Sequence, residues 1–203
     1  MNTPLIRIAI DIDDVIADTI GAVHVWANAK VGASFELHHY HTDDEYWGYY
    51  NNIWARHGFE GKLVFEDFLD EMIVDQSNIR PNNDAKRVIK ALMKKYEVIF
   101  LTARPPAVQE ETRRWLDEHI DASIPLYLAC NPVLNETALS KGEMCNELGV
   151  GLLIDDNIDN CNSALDHEVE AIVYGHYGWN KNAPDSMARC HNWTAVLEQL
   201  NGR

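Results

Sequence analysis

Between residues 96 and 174 short apolar runs recur with helix-patterned segments between them, and this rhythm narrows the fold more than any other feature of the chain. The runs are Tyr96 to Leu101, Pro125 to Leu128, Gly151 to Ile154 and Glu170 to Tyr174. The segments 83–95, 108–119, 140–148 and 158–165 carry apolar residues at helical spacing. Leu5 to Ile10 adds one more buried run near the N-terminus. Strands alternating with helices at this spacing build a parallel sheet covered on both faces. The expected fold class is therefore α/β, a Rossmann-like parallel sheet of about five strands flanked by helices.

Residues 20–78 break the rhythm. Val15 to Ala29 and Glu66 to Val74 read as helices, and the stretch between is dense in aromatic, histidine and acidic side chains. It holds His38, His39, Tyr40, His41, Asp43, Asp44, Tyr46, Trp47, Tyr49, Tyr50, Trp54, His57 and Phe59. We read 20–78 as a small helical cap inserted after the first strand, and 1–19 with 79–203 as the core domain. The aromatics either stack on a planar ligand or form the interior of the cap. The clustered His38, His39 and His41 have no matching carboxylate pattern and are assigned surface and packing roles.

A parallel sheet gives the polar residues a common address, because ligands bind outside the carboxyl ends of its strands. Asp11 and Asp13 stand two apart at the end of the first run, so in extended backbone both leave on one side. No basic neighbour offsets their repulsion, which a divalent cation with oxygen ligands would do. A solvated strand-to-turn junction would use the same residue type. Thr102 ends the second run, Asp155 and Asp156 end another, and Lys141 follows Ser140 at a helix start. Each has a plain alternative: strand propensity for Thr102, an exposed helix position for Lys141, and capping of the next helix for the acids.

Composition excludes other classes. A formal net charge of -15 over 203 residues, with no Lys/Arg-rich stretch, argues against a nucleic-acid polymer as partner. A small anion held by a metal and one or two bases stays compatible. No basic start with a long apolar stretch opens the chain, and no run reaches the roughly 18 apolar residues of a membrane helix, so a cytoplasmic location with no membrane partner is expected. Cys130, Cys145, Cys161 and Cys190 are widely spaced and are read as free thiols. Zinc on Cys190 and His191 lacks a second ligand pair. A homodimer is compatible with everything above.

The residues together resemble the haloacid dehalogenase-like phosphohydrolases. The resemblance rests on Asp11-Ile-Asp13-Asp14-Val15-Ile16, on Phe100-Leu-Thr102, on Lys141, and on Leu153-Ile-Asp155-Asp156, in that order across residues 5 to 160. Asp18, Thr102-Ala-Arg-Pro105 and a late Gly178-Trp-Asn180 are similar to the 5'(3')-deoxyribonucleotidase group within it. Asp14 departs from the pattern, which has Gly there.

What the resemblance implies is a Mg2+-dependent phosphomonoesterase acting on a small phosphorylated substrate, a nucleoside monophosphate first. Asp11 is then the nucleophile that forms an aspartyl-phosphate. Asp13 is the general acid and then the base, which requires it to start protonated through crowding with other acids. The metal falls to Asp11, the Asp13 backbone carbonyl and one of Asp155 and Asp156. Thr102, Ala103 and Lys141 bind phosphate, whereas Arg104 shapes its loop or contacts phosphate directly. Within enzymes the alternative is a phosphatase for another small metabolite. The alternative from a different class is a non-catalytic binding protein on the same fold, against which the retained Asp11 and Asp13 speak.

Overall fold

A computed structural model describes residues 5–43, 45–46, 48–129 and 139–202. Asp44, Trp47 and Cys130 therefore lie outside the described residues. The sheet strands are β1 (Arg7–Ile10), β2 (Glu97–Thr102), β3 (Leu126–Leu128), β4 (Val150–Asp155), β5 (Glu170–Tyr174) and β6 (Ala188–Cys190). Their order is β3-β2-β1-β4-β5-β6 and every pairing is parallel. The sheet thus has one strand more than expected. β6 is three residues long and contains Arg189, so it offers no apolar run to read.

The helices are α1 (Thr19–Val31), α2 (Tyr49–Arg56), α3 (Phe65–Val74), α4 (Ala85–Leu92), α5 (Gln109–His119), α6 (Lys141–Glu147), α7 (Ile158–Asp166) and α8 (Trp193–Asn201). Local chemistry sets their starts. Asp18 accepts a hydrogen bond from Gly21 N at 3.1 Å, so α1 begins at Thr19 and not at Val15. Ser140 and Glu143 close a reciprocal capping box on α6, and Asn157 accepts from Asp159 N and Asn160 N at the head of α7.

Side chains of each strand alternate between two cores. Ile8, Ile10, Phe100, Leu152, Ile154 and Ile172 join one apolar cluster, together with residues of α1 to α5 and α8. Ala9, Ile99, Leu101, Leu153, Ala171 and Val173 face the other way, toward Cys145 of α6 and Cys161 of α7. Cys145 and Cys161 are free and buried, and Cys190 is buried.

The order of strand addition reverses about β1: successive strands add on one side up to β3 and on the other from β4. Such a switch point opens a crevice at the carboxyl ends of the two strands that flank it, here β1 and β4. The segment carrying α1 to α3 leaves and returns beside this crevice. Asp18 N donates to Arg80 O at 2.8 Å and Asn82 N donates to Ile16 O at 2.7 Å, pinning the outgoing and incoming chain side by side. The helical segment shares the larger apolar cluster with the sheet, through Ile20, Val23, Ile53 and Trp54 among others. No helix among the described residues is long and apolar enough to cross a membrane.

Candidate active site

Asp11 follows β1 directly, and its backbone N–H still pairs with Ile154 O at 2.9 Å, so the strand geometry carries it over the end of β4. There its carboxylate meets Lys141, whose Nζ lies 2.7 Å from Asp11 Oδ1 and 2.6 Å from Asp155 Oδ2. Lys141 is buried at the first turn of α6, not exposed. Burial alone would lower its pKa, but the two carboxylates raise it, so it is held as an ammonium.

Oxygens of Asp11, Asp155 and Asp156 all lie within 4.8 Å of one another, and all three residues are buried. Burial, then the neighbouring charges, push Asp11 up to about 7 despite Lys141. Burial and the charges of Asp155 and Asp11 push Asp156 well above the usual carboxylate range. Three buried carboxylates against one ammonium leave negative charge uncompensated. A hard divalent cation fits such an oxygen set.

The two acids at the end of β4 differ in what they have left to offer. Asp155 Oδ2 accepts from Lys141 and its Oδ1 accepts from Asn157 N at 2.9 Å and Asn160 Nδ2 at 3.1 Å. Asp156 Oδ2 accepts from Trp179 Nε1 at 2.6 Å.

Asp13 points elsewhere. Arg104 Nε and one terminal nitrogen grip its two carboxylate oxygens at 2.9 and 2.7 Å, and Thr19 Oγ1 donates to it at 2.6 Å. The rest of the Arg104 guanidinium donates to Gln76 Oε1 at 2.7 Å and Thr112 Oγ1 at 3.0 Å. Burial works to raise the pKa of Asp13, but the charge and hydrogen bonds of Arg104 and the Thr19 hydroxyl outweigh it, and the net shift is downward. The crowding expected to keep Asp13 protonated acts instead on Asp11, Asp14 and Asp156, because only Asp13 has a guanidinium of its own. Arg104, a candidate phosphate ligand by sequence, is buried and engaged by Asp13, Gln76 and Thr112.

Thr102 sits buried at the carboxyl end of β2, accepting from Arg104 N at 3.2 Å, with Ala103 next along the chain. Asp14 adopts φ 58°, the left-handed conformation for which Gly is the usual choice and which Asp tolerates. The turn is preserved, and the added carboxyl accepts from Ile20 N at 2.7 Å, bracing the first turn of α1.

Phenols of the helical segment close over these acids. Burial and the carboxylate charges of the site raise the pKa of Tyr46 and of Tyr50, with Asp156 the largest of those charges for Tyr46 and Asp14 for Tyr50. Tyr50 Oη lies 3.5 Å from Asp14 Oδ2 and its ring stacks on Phe65 at 4.9 Å. Both tyrosines stand out in the aromatic-rich stretch of the sequence. Thr19, Gln76, Thr112, Asn160 and Trp179 do not; only Trp179 lies in a motif, Gly178-Trp-Asn180, and that motif carries no stated role.

No protein-family model matches the chain, and no curated protein is similar to it. Solved structures are. A predicted phosphoglycolate phosphatase from Haemophilus somnus 129pt superposes with a TM-score of 0.62 at 13% identity, over 98% of this chain and 99% of that one. A haloacid dehalogenase-like protein of unknown function from Agrobacterium tumefaciens C58 gives 0.65 at 11% identity, over 98% and 99%. A hydrolase of the same superfamily from Deinococcus radiodurans R1, with bound phosphate and sodium, gives 0.55 at 15% identity, over 98% and 89%. Identities this low establish shape, and the shape of this chain is the haloacid dehalogenase-like hydrolase fold.

Proposed function

We propose that this chain is a divalent-cation-dependent phosphomonoesterase that hydrolyses a small phosphate ester through an aspartyl-phosphate on Asp11. The carrying observation is the convergence of Asp11, Lys141, Asp155 and Asp156 at the β1/β4 switch point. Asp11 and Asp156, whose Oδ1 no described hydrogen bond reaches, would hold the cation, Mg2+ by preference of an oxygen site. Asp155 is committed to Lys141, Asn157 and Asn160 and acts as their orienting base. When bound, the cation screens the repulsion between carboxylate and phosphate and lowers the pKa of Asp11.

An Asp11 oxygen attacks phosphorus, the P–O bond to the alcohol breaks, and the alkoxide leaves with a proton. Water then attacks the acyl phosphate and Asp13, ionised beside Arg104, accepts its proton. Proton donation by Asp13 in the first half is opposed by the same guanidinium, and a substrate phosphate entering as its monoanion meets that need. Lys141 and the Thr102–Ala103 turn stabilise charge on the phosphoryl oxygens.

The favoured substrate is a (deoxy)nucleoside monophosphate. Tyr46 and Tyr50 put aromatic surface beside the acids, where a base could stack. Another small phosphorylated metabolite is the second reading, supported by the likeness to a predicted phosphoglycolate phosphatase. The test is phosphate release from a panel of nucleoside monophosphates and sugar phosphates, with and without Mg2+, for the wild type and Asp11→Asn. Release that needs Mg2+ and is lost in the variant supports the mechanism. Sugar phosphates turned over far faster than dUMP and dTMP would sink the nucleotide preference.

A further inference from the structure

Residues 178–180 form a single 3-10 turn after β5, and two of its side chains converge on Asp156. Trp179 Nε1 donates to Asp156 Oδ2 at 2.6 Å, while Asn180 Nδ2 donates to Asp156 O at 2.9 Å. The carboxylate and the carbonyl of one residue are thus gripped by neighbours in sequence. The turn is itself locked: Asn180 Nδ2 also donates to Tyr174 O at 2.9 Å, and Asn180 Oδ1 accepts from Tyr177 N at 3.0 Å and from Arg189 at 3.2 Å.

The indole is packed among aromatic rings. Tyr177 stacks on it at 4.9 Å with planes 12° apart, and Tyr49 of α2 meets it edge-on at 4.8 Å. Tyr46 contributes a second edge at 5.7 Å. A Cβ on Gly178 would collide with Thr42 O and Tyr49 Oη, so only Gly lets the turn approach the helical segment this closely. A tryptophan needed only to fill space would not require its N–H aimed at a buried carboxylate.

We propose that Trp179 is a positioning residue for the cation site: its N–H occupies Asp156 Oδ2 and so presents Oδ1 to the ion. This rests on the cation-dependent reading above. Partners that orient a ligating carboxylate are typically worth about 10- to 100-fold in metal affinity. Because the indole is held by Tyr46 and Tyr49, the ligand geometry also depends on the helical segment being docked.

The test is Mg2+ binding to the full chain by titration calorimetry, backed by the Mg2+-induced rise in melting temperature. Wild type is compared with Trp179→Phe and with site-specific replacement of Trp179 by 3-benzothienylalanine, which keeps shape and replaces N–H by sulfur. The expected result is Mg2+ affinity weakened about tenfold or more in both, with the metal-free melting temperature of the isostere close to wild type. Unchanged affinity in the isostere, against a wild type that binds, overturns the inference alone. A wild type that binds no Mg2+, Mn2+ or Ca2+ overturns the cation-dependent reading and this inference with it.

Discussion

Arg104 holds Asp13 with two parallel hydrogen bonds, 2.9 and 2.7 Å long, while its remaining donors reach Gln76 and Thr112. A planar fork is needed for that pairing, and an ammonium cannot supply it. Arg104→Gln leaves Asp13 without a counter-charge, and breaking such a buried pair costs about 3–5 kcal/mol. Urea unfolding should show a loss in that range, and Arg104→Lys should recover less than half of it. A loss under about 1 kcal/mol for Arg104→Gln would show that solvent already neutralises Asp13.

Lys141 stands between Asp11 and Asp155. Lys141→Met leaves both carboxylates facing each other in a buried site, and a loss of about 3 kcal/mol or more is expected in metal-free buffer. Adding Asp155→Asn removes their mutual repulsion, so the double variant should be more stable than Lys141→Met. Chelator-treated protein in a denaturant series reads both, and additivity of the two substitutions would contradict the geometry.

Asp14 shows two requirements that can be separated. Asn keeps the left-handed turn and an oxygen acceptor for Ile20 N, and removes a carboxyl disfavoured by burial, so Asp14→Asn should melt at or above the wild-type temperature. Asp14→Ala loses the acceptor and strains the turn, at about 1–2 kcal/mol each. Thermal melts of the two variants should fall on opposite sides of, or straddle, the wild type; equal losses would refute this account.

Gly142, next to Lys141, lies against the backbone of α7. A Cβ there would meet Ser163 O and the Ser163 side chain. Gly142→Ala must push α6 off α7, costing about 1–3 kcal/mol and displacing the Lys141 ammonium. On the proposed phosphomonoesterase reading, kcat should fall with little change in KM, because Lys141 would act on charge that develops during reaction.

The sheet was legible wherever burial left a plain pattern. β1, β2, β4 and β5 are apolar runs closed by polar residues, and the ends of β1, β2 and β4 bring Asp11, Thr102 and Asp155 to one edge. β6 and α8 were missed: the strand is short with a central Arg, and the helix follows a stretch without strand signals. Roles that depend on tertiary contact were hidden. Asp13 reads as one more acid in a crowd until Arg104, 91 positions away, is seen on it. Lys141 is a phosphate-binding candidate through the resemblance, while the residues alone leave an exposed helix position open, because nothing local shows that α6 buries its first turn.

The two places where the chain passes between the sheet and its inserted helices are also the two ends of the tether on Asp13. Thr19 lies just past the outgoing passage and Gln76 just before the returning one, and the Asp18–Arg80 and Asn82–Ile16 hydrogen bonds keep both passages together. Hydrogen exchange at Asp18 and Asn82 would report any swing about this point. An outward swing of the helices draws the Thr19 hydroxyl and the Gln76 amide off together, loosening the guanidinium they help to hold. On the proposed mechanism, such a swing would couple proton exchange between Asp13 and bulk water to the opening of the site.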